Sequence, residues 1–165
     1  MEIINAVVGI VQLVIAIILA VVALYIGFSV LGKITKGIDE EKEIAKGNTA
    51  VGILVASVFI SIGIVVQSGV VGISIGISKA LAAATMSESI LIIVISFVQL
   101  ILGIVLAIIA IYLALNILDK LTKGIDEFAE LKKGNVAVAL EMAGVIITTA
   151  VIIQSGVQGI TAALI

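Results

Sequence analysis

The sequence predicts an all-α membrane protein: four transmembrane helices arranged as two tandem, parallel helical-hairpin repeats offset by 87 residues. Three observations predict it. The chain is 62% hydrophobic and only 12% charged, with a mean hydropathy of +1.44, whereas soluble domains are roughly half apolar and about a quarter charged. Its apolar residues fall into four runs, at 3–32, 49–78, 88–118 and 136–165, each longer than the ~18 residues that read as a membrane span. The charged phrase TKGIDEEKEIAKGN at 35–48 returns as TKGIDEFAELKKGN at 122–135.

The first run follows Met-Glu directly. A secretory signal carries a positive start and a shorter apolar core, so this run reads as an uncleaved first helix. In the phrase after it, Asp39 suits a helix N-cap, because a short carboxylate accepts from backbone N–H groups of the next turn. Acidic residues then occupy the first turn and Lys46 the last, in line with the helix dipole. Gly47 suits the C′ position, where φ > 0 is needed, and Asn48 caps the second run. The phrase therefore predicts a short helix between two defined corners. Asp126, Gly134 and Asn135 predict the same for the second copy.

Sliding the chain by 87 residues aligns 3–78 with 90–165 without a gap, and about 33 of the 76 pairs are identical. The division expected is a first two-span hairpin at 1–78, an external linker at 79–88 and a second hairpin at 89–165. Two-span units enter the membrane from the same side, so the repeats are parallel rather than inverted, and a pseudo-twofold along the membrane normal is expected. Eight of the nine lysines lie in the two repeated loops. Lysine near helix ends marks the cytoplasmic side, which places both loops in the cytoplasm and the termini and linker outside, in the cell (inner or plasma) membrane.

Composition also excludes functions. The chain has no Pro, Cys, His or Trp, and its basic residues are all lysine. This removes disulfides, thiol nucleophiles and the usual zinc or haem ligands, and an arginine phosphate clamp. The net charge of −2 gives no footprint for nucleic acid. No cofactor and no metal are expected, since the loop carboxylates lack the alternating ligands and central Gly of a calcium loop. An enzyme is not expected. The Ile, Val, Lys and Glu bias leans towards a thermophilic prokaryote.

Two sets of residues remain as candidate sites. In the loops, Asp39, Glu40, Glu43, Asp126, Glu127 and Glu130 read either as a solvated connector or as a docking surface for a cytoplasmic partner. Within the spans, Glu141 lies ~9 Å along the axis from Asn135, and an intramembrane acid is a functional candidate. Tyr112 should match its depth and hydrogen-bond to it. Gln12 and Gln67, repeated as Gln99 and Gln154, share a second layer ~27–30 Å from the inner corner. They read as Gln–Gln clasps within each hairpin, or as a polar ring lining a pore in an oligomer. The glycines of SGVVGISIG (68–76) and SGVQG (155–159) favour close helix contact.

The signature G-I-D-E, then E-[IL]-x-K-G-N-x-A entering a Gly/Ala-rich span, resembles the small prokaryotic membrane proteins grouped as domain of unknown function 350. The resemblance covers nearly the whole chain and implies an integral membrane fold with two such units and no established activity. Family members often carry Pro after the loop Thr, where Lys36 and Lys123 stand here. Some relatives are encoded near membrane-stress or membrane-remodelling proteins, which implies a scaffold or partner role. Two functions follow as expectations. One is a structural subunit that meets lipid, forms a homo-oligomer and docks a cytoplasmic or membrane protein through its loops. The other is an ion channel or ion-translocating subunit using Glu141, similar in architecture only to the duplicated four-helix proteolipids of rotary ATPases.

Overall fold

A computed structural model describes residues 2–35, 37–122 and 124–164, without the side chains of 2–5, 8, 30, 31, 33, 34 and 164. Lys36 and Lys123 lie outside the described residues, as does the Lys33 side chain. All regular structure among the described residues is helical. The order is α1 (Glu2–Ile34), α2 (Glu40–Ala45), α3 (Thr49–Ala82), α4 (Met86–Leu121), α5 (Glu127–Lys132) and α6 (Val136–Leu164). The four long helices are long and apolar enough to cross a membrane, and the protein is a multi-pass membrane protein. In hydrocarbon every backbone N–H and C=O must be satisfied within the segment, which an uninterrupted helix achieves. With no proline in the chain, nothing breaks that ladder.

Within the predicted linker at 79–88, Ala83–Thr85 lie outside a helix. Thr85 opens α4 with a capping box. Its hydroxyl accepts from the Glu88 backbone N–H at 3.3 Å, and the Glu88 carboxylate accepts from the Thr85 N–H at 3.3 Å. Two orphan donors are thereby satisfied at a tight corner. Ser89 ties the corner back by donating to the Ala80 carbonyl at 2.7 Å.

Packing is uneven. Helix α3 is central and touches α1, α4 and α6, while α4 and α6 also pack on each other. The main core lies towards the α2/α5 end, where Leu54, Val58, Ile111, Leu115, Leu131 and Met142 meet. Lipid gives helices no hydrophobic reason to associate, so close backbone approach and dispersion must hold them. The α3–α4 contact shows this directly. A Cβ added at Gly69 would run into the Leu100 side chain, and one at Gly76 into Ser96. The serines that enter these contacts are satisfied on their own helix: Ser68 donates to the Val65 carbonyl at 2.7 Å and Ser96 to that of Ile92 at 2.8 Å.

The expected pseudo-twofold is not formed. A twofold relating the hairpins would turn the α3–α4 contact into an equal α6–α1 contact. Helix α1 instead lies against α3, with a minor contact to α4 and none of that extent to α6. Only 6% of its most apolar stretch is buried, against 28% for its repeat counterpart α4.

Gly69→Val is expected to destabilise the bundle by about 1–3 kcal/mol through overpacking against Leu100. Gly63, whose added Cβ would meet nothing within 4 Å, should accept Ala without loss. Reversible unfolding in mixed micelles, followed by loss of helicity, measures both; equal stabilities for the two variants would contradict the packing described.

Candidate interaction site

The repeated phrase folds twice into the same elbow. Each begins with a turn in which the Thr35 or Thr122 carbonyl accepts from Ile38 or Ile125 at 3.2 Å. Gly37 and Gly124 hold the positive φ of +80° and +106° that this corner uses. Asp39 then caps α2 by accepting from the Lys42 N–H at 3.1 Å, and Asp126 caps α5 through the Ala129 N–H at 2.9 Å. Each short helix ends in a Schellman motif. Gly47 and Gly134, at φ +81° and +82°, donate to the carbonyls of Ile44 and Leu131, and Asn48 and Asn135 donate to those of Glu43 and Glu130. The Asn side chains then cap α3 and α6, accepting from Val51 at 3.3 Å and Val138 at 3.4 Å. The sequence-predicted caps and stops are all in place.

The six carboxylates expected at a docking surface serve the elbow itself. Glu40 and Glu127 are buried and accept from the hydroxyls of Thr35 and Thr122. Burial withdraws Glu127 from the surface and leaves Glu40 only an edge on the cleft beside α2, which corrects the sequence reading of this pair. Glu43 and Glu130 are half-buried and bridge two groups each. Glu43 takes the Lys46 ammonium at 2.8 Å and the Asn48 amide at 3.0 Å; Glu130 takes Lys133 at 2.7 Å and Asn135 at 2.8 Å. Asp39 and Asp126 are exposed but act as caps. A charge-assisted bond favours the ionised acid. The Lys42 side chain, then its amide, holds Asp39 below the ordinary 3.8. Lys46 and then Asn48 hold Glu43 below 4.5, and Asn135 and then Lys133 do so for Glu130.

One bond joins the elbows. Asn48 Nδ2 donates to the Leu131 carbonyl at 3.0 Å and reaches that of Lys132 at 3.5 Å. The cap of α3 is thereby tied to the end of α5, and Glu41, Lys42, Lys46, Asp126, Lys132 and Lys133 are exposed on the two elbows. Sequence reading did not find this bond, although Asn at the start of both spans was its signal. An open cleft of about 460 Å³ between Phe28, Gly32, Gly37 and Asp39–Glu41 borders the first elbow. No group of three or more metal-ligating side chains is present among the described residues.

Within the spans the placements differ from expectation. Gln99 crosses to α6, but its partners are the Thr161 hydroxyl and the Val157 carbonyl, the latter at 3.3 Å; Gln154 is not among them. Gln12 is half-buried and Gln67 exposed, so no Gln–Gln clasp forms among the described residues. Matching depth did not fix which way each amide points around its helix. The same reason separates Tyr112 from Glu141. Both side chains are exposed, and no hydrogen bond joins them among the described residues.

The sequence profile described as Domain of Unknown Function (DUF350) matches residues 5–106 and 92–165. No curated protein matches the chain, and no solved structure does.

Thr122→Val should cost about 1–3 kcal/mol, since it strips a buried carboxylate of its bond; the other oxygen, Glu127 Oε2, already has no partner among the described residues. Thermal unfolding in detergent tests this, and an unchanged transition would refute it. The elbow also carries a pH signature. Carboxylates depressed in the folded state contribute stability that is fully present above their unfolded values and is lost as pH falls through the folded ones. The side-chain amide resonances of Asn48 and Asn135 should thus respond to pH with midpoints below 4.5, the ordinary value for Glu43 and Glu130. Midpoints at or above that value would contradict the bonding.

Proposed function

We propose that this chain, which belongs to the Domain of Unknown Function (DUF350) family, is a non-catalytic membrane scaffold: a homo-oligomer whose paired elbows dock a protein partner in the cytoplasm. The observation that carries this reading is the bond from Asn48 to the second elbow. It joins two pre-organised loops into one face. Rigid, internally bonded loops suit docking, because little ordering entropy is lost on binding. The face mixes both signs of charge, which suits a protein surface better than anionic lipid. Eight lysines in or beside the loops support a cytoplasmic location in a plasma or inner membrane. A chain without Cys or His, whose buried acids are tied into corners, supports a role other than catalysis.

The rival reading is ion translocation through Glu141. Its side chain is exposed on the outside of the four-helix unit, not aimed into a polar interior. Proton and cation flux in proteoliposomes distinguishes the two. The expected result is a sealed membrane for wild type and for Glu141→Leu. Flux above that of empty vesicles that Glu141→Leu abolishes would overturn the scaffold reading.

A further inference from the structure

The repeat supplies a comparison within one molecule. Along α3, Leu54, Ser61, Val65, Gly69, Gly72 and Gly76 are all buried. Their counterparts 87 residues on, Glu141, Thr148, Ile152, Gly156, Gly159 and Ala163, lie on one stripe of α6 and are all exposed. The spacing of three, four or seven residues keeps each set on a single helix face. Much of the α3 face is covered by α4, through Leu100 against Gly69 and Ser96 against Gly76. The counterpart of α4 is α1, where Leu13 and Gly9 stand for Leu100 and Ser96. Leu100 is 1% exposed and Leu13 60%. Nothing lies within 4 Å of a Cβ added at Gly9, Gly156 or Gly159.

The elbows repeat the pattern. Leu131 of α5 is fully buried at 0%, and its counterpart Ile44 of α2 is 44% exposed. Both Asn amides donate to the Glu of their own loop, and Asn48 in addition reaches the Leu131 carbonyl of the other repeat. The chain thus contains one complete repeat-to-repeat interface, plus an uncovered copy of each of its two sides.

We infer that a second copy of this chain docks head to tail, its α1 lying in the small-residue face of α6 as α4 lies in that of α3. This rests on the oligomeric reading above and names its interface. The incoming α2 would lie over the start of α6, cover Ile44, bring Lys42 and Lys46 towards Glu141, and offer the Ile44 carbonyl to Asn135. Glycine, threonine and alanine are residues that helix interfaces in lipid use, and an acid such as Glu141 is poorly placed against acyl chains. Each copy leaves the same two sides open, so the contact is heterologous and closes into a ring or propagates.

Cysteine pairing tests it in a chain that has no Cys of its own. In the internal interface an added Cβ at Gly69 lies 3.2 Å from Leu100 Cβ, close to the ~3.5–4.5 Å spacing of disulfides. Leu13→Cys and Gly156→Cys are the corresponding outward positions and should not disturb the fold. Gly69→Cys with Leu100→Cys, closing within one chain, checks that packing. In oxidised native membranes the full-length double variant Leu13→Cys/Gly156→Cys should give covalent species beyond the dimer. Each single variant should stay monomeric on the gel, and the two singles co-expressed should stop at the dimer. Pairing of Leu13→Cys with itself, or no cross-link in a protein whose native mass is still oligomeric, would overturn the inference and leave the scaffold reading standing. A single-chain mass for wild type in nanodiscs would overturn both.

Discussion

The approach of α4 to the glycine face of α3 is the contact on which the rest of the bundle depends. In lipid, burying a leucine against another helix gains little over burying it against acyl chains. What distinguishes one arrangement from another is how near the backbones can come. Gly69 and Gly76 let Leu100 and Ser96 sit where any side chain would collide, and this brings α4 onto α3. With α4 fixed there, α6 can touch both, and the Gln99 amide reaches Thr161 across the α4–α6 seam. Helix α1 has no such seat of its own within the chain beyond α3, and it remains the least buried of the four.

The elbows answer a different constraint. A tight connection between two spans exposes the last carbonyls of one helix and the first N–H groups of the next. In each copy those groups are satisfied by side chains of the loop: a Thr–Glu bond, an Asp cap, a glycine-terminated helix and an Asn cap. The charges of the repeated phrase are therefore mostly internal bonds. That is why the same residues recur in both loops although the membrane spans between them have drifted. Positions outside that bonding have diverged: the exposed Ala45 stands where Lys132 is exposed, and the exposed Glu41 stands where Phe128 enters the core.

How much of this was legible follows from the range of each interaction. Caps and stops are local, within about five residues, and Asp39, Gly47, Asn48 and their counterparts could be read from spacing alone. The capping box of Thr85 and Glu88 is equally local, although the sequence reading gave 79–88 only as a linker. The apolar runs fixed the spans because length and hydropathy suffice for that. Azimuth is another matter. The height of Tyr112, Glu141 or a glutamine follows from 1.5 Å per residue, but the direction it faces depends on which helix lies beside it. In spans with almost no polar face, no periodic signal reports that. Hence the Tyr112–Glu141 pair and the Gln clasps were misplaced, while the glycines of 68–76 pointed to close contact.

The repeat carried a deeper ambiguity. Sequence identity between two hairpins says that they share a fold; it does not give the operation that relates them. A twofold would have satisfied both hairpins equally, with every contact matched inside the chain. The structure instead relates them so that the small-residue face of α3 is covered by α4, while the corresponding face of α6 is left exposed. Two surfaces of the same ancestry then differ in being covered: Leu131 against Ile44, Leu100 against Leu13. An internal duplication arranged in this way is asymmetric at both ends, and each end carries the chemistry that the centre has already shown can pair.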